Sequence, residues 1–333
     1  DPDNDLLSWS VSGLPNGLTF DQNAFTLQGD LEVNQEGVYP LIVVLEDEFG
    51  AAATQEITLE VIRFDAQYEY WTVFEDVSWS IQGIQPYDAP TITLYSESAA
   101  IILIEIEAFN IKSTVEIKPF TFEKIPLPVE IMAPSGAENL GVVLPPISVK
   151  ISSDREISVI SGNFAPSASD SSNTLEKRHL GTQYLTNTGV PNDQEIENAP
   201  TDDSIYEANV FIVATEDDTT VTITPAIRGT IAQQPDVNFT LSAGQVYKVR
   251  AFNFSMNGGH INADKPIAVF TLGQCVSIWG GACDPIYEQL LPKKLLDVEY
   301  VITPTRYKTS GDPISISSTE DGNIVQYMGQ SIV

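Results

Sequence analysis

The chain has 333 residues, 42% of them hydrophobic and 19% charged, enough apolar material for a packed core and for more than one domain. Its 46 acidic residues against 16 basic ones give a formal net charge of −30, which repels phosphate backbones and anionic membrane surfaces and sets nucleic-acid binding aside. No apolar run approaches the roughly 18 residues of a membrane-spanning helix, and the 21 Gly, 21 Pro, 14 Phe and 12 Tyr are the mix of short strands and many turns, so the predicted fold is all-β.

The chain opens on DPDND without a signal-peptide pattern and reads as a piece of a longer polypeptide. Asp1, Asp3 and Asp5 alternate as at the start of an EF-hand loop, but Leu6 and Ser12 stand where that loop needs Gly and Glu, so an EF-hand is rejected. Strand-like runs follow at Leu6–Val11, Phe25–Leu27, Val38–Leu45 and Gln55–Ile62, each bounded by Gly, Pro, Asn or Asp. EDEFG at 46–50 is a hairpin turn between the last two, with Gly50 free to take positive φ. Residues 1–63 thus predict a small immunoglobulin-like β-sandwich. LLSWSVSGLPNGLTFD, LQGDL and GVYPLIVVLEDEFGAAATQEITLEV together resemble the cadherin-like, immunoglobulin-type repeat of large surface proteins. Gly13, Leu14, Pro15, Gly17 and Leu18 match its GLPxGL turn; Gly37, Tyr39, Asp47 and Gly50 match its closing strand and acidic hairpin. The resemblance implies a spacer or adhesion unit over residues 5–62. It also implies calcium shared between linker and loop carboxylates, here Asp1, Asp3 and Asp5 joined by Glu46, Asp47 and Glu48; the plainer alternative is a solvated acidic turn.

Residues 64–333 repeat internally. VKISSDREISVIS (149–161) aligns with GHINADKPIAVFT (259–271), NVFIVATEDDTTVTI (209–223) with PISISSTEDGNIVQY (313–327), and TQYLTNT (182–188) with VEYVITP (298–304). TITLYSESAAIILIEI (91–106) is an earlier, weaker copy. The units fall at about 64–165, 180–275 and an incomplete 296–333. Their length of about 110 residues favours tandem sandwiches over propeller blades of about 40–45. The strands Asn209–Thr215 and Thr219–Thr224 flank an acidic tip, Glu216, Asp217 and Asp218, a second calcium candidate whose side chains also suit turn chemistry. The Ser/Asp/Asn-rich stretch Ala165–Glu176 reads as a mobile loop, as does Val190–Ser204. Cys275 and Cys283, in GQCVSIWGGACDP, either close a small-loop disulfide or are two unrelated thiols. Trp279 between them is either a partner contact or a lid over the local core. Asn238 and Asn253 stand in glycosylation sequons that matter only in a eukaryotic source.

GTQYLT (181–186), VFIVATEDDTTVTITP (210–225), LSAGQVYKVRA (241–251), INADKPIAVFTLGQC (261–275) and CDPIYEQLLP (283–292) resemble, in order, the N-terminal domain of the IgG Fc-binding mucus protein, which recurs in large microbial surface proteins. The resemblance implies extracellular display, adhesion-like binding and a paired Cys275 and Cys283; residues 64–180 match it only loosely. No GxSxG, HExxH, P-loop or dinucleotide-binding fingerprint occurs, and the two histidines, His179 and His260, have no catalytic partner in sequence, so an enzyme is not expected. The expected function is an extracellular adhesin-type binding or spacer module, contacting a protein or glycan on another surface. The alternative is a filament or sheath subunit that contacts copies of itself, and a carbohydrate-active enzyme ranks third.

Overall fold

The computed structural model describes residues 6–31, 35–75, 90–133, 141–165, 168–188, 208–225, 236–250, 257–276, 284–302, 314, 316–327 and 329–331. The described secondary structure is strand, with a few one-turn 3-10 segments, and the chain divides into two compact units, Asp1–Asp65 and Ala66–Val333.

In the first unit β1 (Leu7–Ser12), β4 (Gly37–Asp47) and β5 (Ala52–Val61) form an antiparallel sheet in the order β1-β4-β5, beside a hairpin of β2 (Leu18–Asp21) and β3 (Thr26–Gly29). Register sets Trp9 opposite Leu45, Val11 opposite Val43, Leu41 opposite Ile57 and Tyr39 opposite Leu59. Because side chains alternate along a strand, these eight share one apolar face, and the serines of β1 take the other. Leu41 is buried at the centre of that face, and Trp9 meets Phe25 edge-on at 5.6 Å. The GLPNG turn needs its glycines: Gly13 and Gly17 hold φ of +89° and +93°, and a Cβ on Gly17 would lie 1.9 Å from the Asp30 carbonyl oxygen.

The second unit contains one strand arrangement twice. Its first copy comprises β6 (Tyr68–Thr72), β7 (Pro90–Ser96), β8 (Ala100–Ile106), β9 (Ile111–Ile117), β10 (Thr121–Pro126), β11 (Val142–Leu144), β12 (Val149–Ser153), β13 (Ser158–Ala165) and β14 (Ala168–Thr174). All but β11 make two four-stranded sheets, β6-β12-β8-β9 and β10-β7-β13-β14. The second copy comprises β15 (Gly181–Leu185), β16 (Ala208–Ala214), β17 (Thr219–Thr224), β18 (Val237–Leu241), β19 (Val246–Arg250), β20 (His260–Val276) and β21 (Asp284–Gln289). The first half of β20 lies between β15 and β17, and its second half between β16 and β21. The resulting orders, β15-β20-β17-β18 and β19-β16-β20-β21, are those of the first copy, with β20 standing for β12 and β13 together.

The two copies share one of two apolar clusters. Val210, Ile212 and Ala214 of β16 point into the second copy's own interior, whereas Phe211 and Val213 join Ile102, Ile104 and Val149 of the first. A sheet covered on both faces demands an uninterrupted apolar run, which is why NVFIVA lacks the alternation of β8, where buried and half-buried residues take turns. β11, from the first copy's stretch of chain, pairs with β19 of the second and joins the two through backbone hydrogen bonds.

One expectation is overturned. Residues 168–174 are not a loop but β14, a strand of small polar residues paired with β13. Its side chains replace apolar packing with hydrogen bonds: Asp170 accepts the Tyr287 amide at 2.8 Å, Ser172 accepts the Gln289 amide at 3.2 Å, and Thr174 pairs with Ser161 at 2.7 Å. Val190–Ser204 lies outside the described residues.

Candidate functional site

Two polar contacts recur in both copies. Tyr70 on β6 donates its hydroxyl hydrogen to the Ile157 carbonyl at 2.7 Å, and Tyr184 on β15 donates to the Ile267 carbonyl at 2.5 Å. Asp154 accepts the Ile101 amide at the start of β8, and Asp264 accepts the Thr220 amide at the start of β17, both at 2.8 Å. The acceptors Asp154 and Ile157, and Asp264 and Ile267, lie in the aligned Ile-x-x-Asp-basic-x-Ile segments 151–157 and 261–267, so that sequence pattern encodes the corner where the chain crosses between sheets. Each tyrosine also bridges to the segment that leaves its copy: Tyr70 to Glu176, ahead of the 3-10 turn Lys177–His179, and Tyr184 to Pro292, ahead of the 3-10 turn Lys293–Leu295. Burial pushes the Tyr70 hydroxyl up to about 12, against hydrogen bonding to Ile157, and drives Tyr184 and Tyr287 higher still.

The acidic tips are engaged in local structure. Asp47 Oδ1 accepts the amides of Phe49 and Ala51 at 2.9 and 2.8 Å, a turn held by its own side chain. Glu216 faces Lys177 at 3.5 Å, Asp217 accepts the Ala243 amide at 3.0 Å, and Asp218 adopts φ of +53°. Among the described residues no group of three or more His, Cys, Asp or Glu is arranged to hold a metal. Asp1, Asp3 and Asp5 lie outside the described residues, as do Cys283, Trp279 and Asn253; the side chain of Cys275 is likewise undescribed. Asn238 is exposed on β18 and accepts the Thr222 hydroxyl at 2.6 Å. His179 is exposed and accepts Arg178 Nε at 3.2 Å; His260 is exposed at the start of β20.

One buried polar cluster among the described residues was not apparent in the sequence. Glu75 follows β6 and is 1% exposed. Its Oε1 lies 2.8 Å from Lys248 Nζ of β19 and accepts Asn209 Nδ2 of β16 at 2.7 Å. Asn163 of β13 donates to the Glu75 backbone carbonyl at 3.3 Å. Lys248, Asn209 and Asn163 are 9%, 4% and 3% exposed, and the ammonium sits 5.4 Å from the centre of the Phe211 ring. The group lies where the two copies meet, so it is desolvated and its electrostatics are strong. Sequence separation hides it: Asn209 is 134 residues from Glu75.

Family comparison gives two matches. Residues 1–62 match the model described as "Putative Ig domain", and residues 170–332 match that of "IgGFc binding protein". No curated protein matches the chain. Among solved structures, a chain of a 1.5-MDa bacterial ice-binding adhesin aligns at 11% identity over 86% of each chain, with a TM-score of 0.15. A tetra-tandem repeat from the extending region of a large adhesion protein aligns at 10% identity over 86% of this chain and 67% of that one, with a TM-score of 0.12. At these TM-scores neither likeness carries an argument. Residues 1–62 are therefore similar to the putative-Ig family and residues 170–332 to the IgGFc-binding family, each match covering less than half of the chain.

Proposed function

We propose that this chain is an extracellular binding and spacer module of a surface or secreted protein, contacting a protein or glycan on another surface. The observation that carries the reading is tandem construction. An Ig-type domain precedes a unit in which one strand order occurs twice, fused through a sheet buried on both faces and continued by a turn that repeats the first junction. Shared interior makes such a unit stiff, and stiffness holds surface loops in fixed positions for a partner. The high negative charge supports solubility in a crowded exterior.

The test is binding of the monodisperse chain to arrays of glycans and extracellular proteins, beside sedimentation at rising concentration. Saturable binding by a monomer supports the reading. Concentration-dependent growth into fibres with no array ligand replaces it with the filament-subunit reading. Calcium at Asp1, Asp3, Asp5, Glu46 and Asp47 belongs to the same proposal. A metal bound only by the native state raises stability, so melts in calcium should lie above melts in chelator by several degrees; coincident melts remove calcium from the account.

A further inference from the structure

We propose that Lys248 and Asn209 become joined by an intramolecular amide bond, with Glu75 as the catalytic proton carrier. Three observations converge. A primary amine, a carboxamide and a carboxylate meet in one buried cluster, each at most 9% exposed. A single carboxylate oxygen, Glu75 Oε1, touches both nitrogens that must exchange a proton, Lys248 Nζ at 2.8 Å and Asn209 Nδ2 at 2.7 Å. The Asn209 carbonyl oxygen is buried with no hydrogen-bond partner among the described residues, an arrangement that a native interior rarely keeps without a purpose.

The strands supply the approach. In the β16–β19 register Lys248 stands opposite Phe211 and Arg250 opposite Asn209, so Lys248 and Asn209 are diagonal neighbours on the same face of adjacent strands. Diagonal pairs lie within reach of long side chains. The lysine stem runs past the Phe211 ring towards Glu75.

The step balances without an outside reactant. Glu75 takes a proton from the Lys248 ammonium, leaving an amine and a carboxylic acid. The amine lone pair attacks Asn209 Cγ and forms the new C–N bond. A second proton passes from the lysine nitrogen, through the carboxyl, to Asn209 Nδ2; the old C–N bond breaks and ammonia leaves. Lysine nitrogen has lost one hydrogen to the ammonia, and nothing is oxidised or reduced. The carboxyl finishes protonated and able to donate to the amide oxygen that had no partner. Water exclusion protects the intermediate from hydrolysis, and fixed neighbours remove the entropy of encounter. The other buried amide, Asn163, reaches only the Glu75 backbone carbonyl and is not placed to receive this proton. The bond would staple β16 to β19, on the sheet that both copies share.

The experiment is intact-mass measurement of the reduced, denatured full chain, followed by proteolysis and fragment sequencing. The expected result is a mass below that of the sequence by one ammonia molecule, and a branched peptide joining Lys248 to Asn209. Lys248→Arg, Asn209→Ala and Glu75→Gln should each restore the sequence mass, whereas Asn163→Ala should keep the deficit. The wild-type mass decides the matter even where a variant fails to fold. A wild-type mass equal to the sequence mass after prolonged incubation overturns the proposal and leaves a buried ion pair only. A branch at Asn163 overturns the assignment to Asn209.

Discussion

At the scale of single residues, the repeated tyrosine and aspartate contacts are the most informative features. Each Asp closes a corner by accepting one amide, so Asp154→Ala and Asp264→Ala should each cost about 1 kcal/mol, read as a shift in denaturant midpoint. The two losses should resemble one another, because the corners do. The tyrosines give the pH dependence its sign. Tyr70 ionises near pH 10 when unfolded and at about 12 when folded, so the native state holds the proton more tightly. Its contribution to stability is complete below pH 10 and is lost as pH rises through 12, with Tyr184 and Tyr287 acting in the same direction. Alkaline titration followed by phenolate absorbance should therefore show these three ionising together with unfolding; independent titration near the ordinary value would contradict their burial. The sequence shows the two Asp at matching positions of the aligned segments, whereas the corners they close emerge only from the fold. Glu75 was not, since a lone acid in a chain with 46 of them carries no local signal, and its partners arrive only through tertiary folding.

At the scale of elements, alternation and turn residues located most of the first unit. Val38–Leu45 became β4 and Gln55–Ile62 became β5, with ends shifted by the hairpin that Asp47 closes. β2 was missed because LTFD is short and follows a glycine turn directly. β14 was misread for a different reason: composition marks small polar residues as loop, yet here Asp170, Ser172 and Thr174 supply hydrogen bonds that hold a strand in place. β16 was legible as a strand, whereas its double burial follows from the packing of one copy on the other. That burial predicts a large penalty for truncation. Phe211→Ala should cost about 3–5 kcal/mol in chemical denaturation, and Phe122→Ala, on an exposed position of β10, less than about 1 kcal/mol.

At the scale of the whole molecule, the second unit is one body built from two equivalent halves rather than two beads on a string. The halves share an apolar cluster, exchange β11, and bury Glu75 of one against Lys248 and Asn209 of the other. Such sharing confers rigidity, because neither half can open without exposing the other's core. Amide hydrogen exchange on the full chain, resolved by peptide, tests this most directly. The account predicts that β8 and β13 of the first half and β16 and β20 of the second lose protection at one common opening free energy. If the second half instead opened at a distinctly lower free energy while the first stayed protected, the halves would be independent domains and the rigid, shared-core account would be wrong.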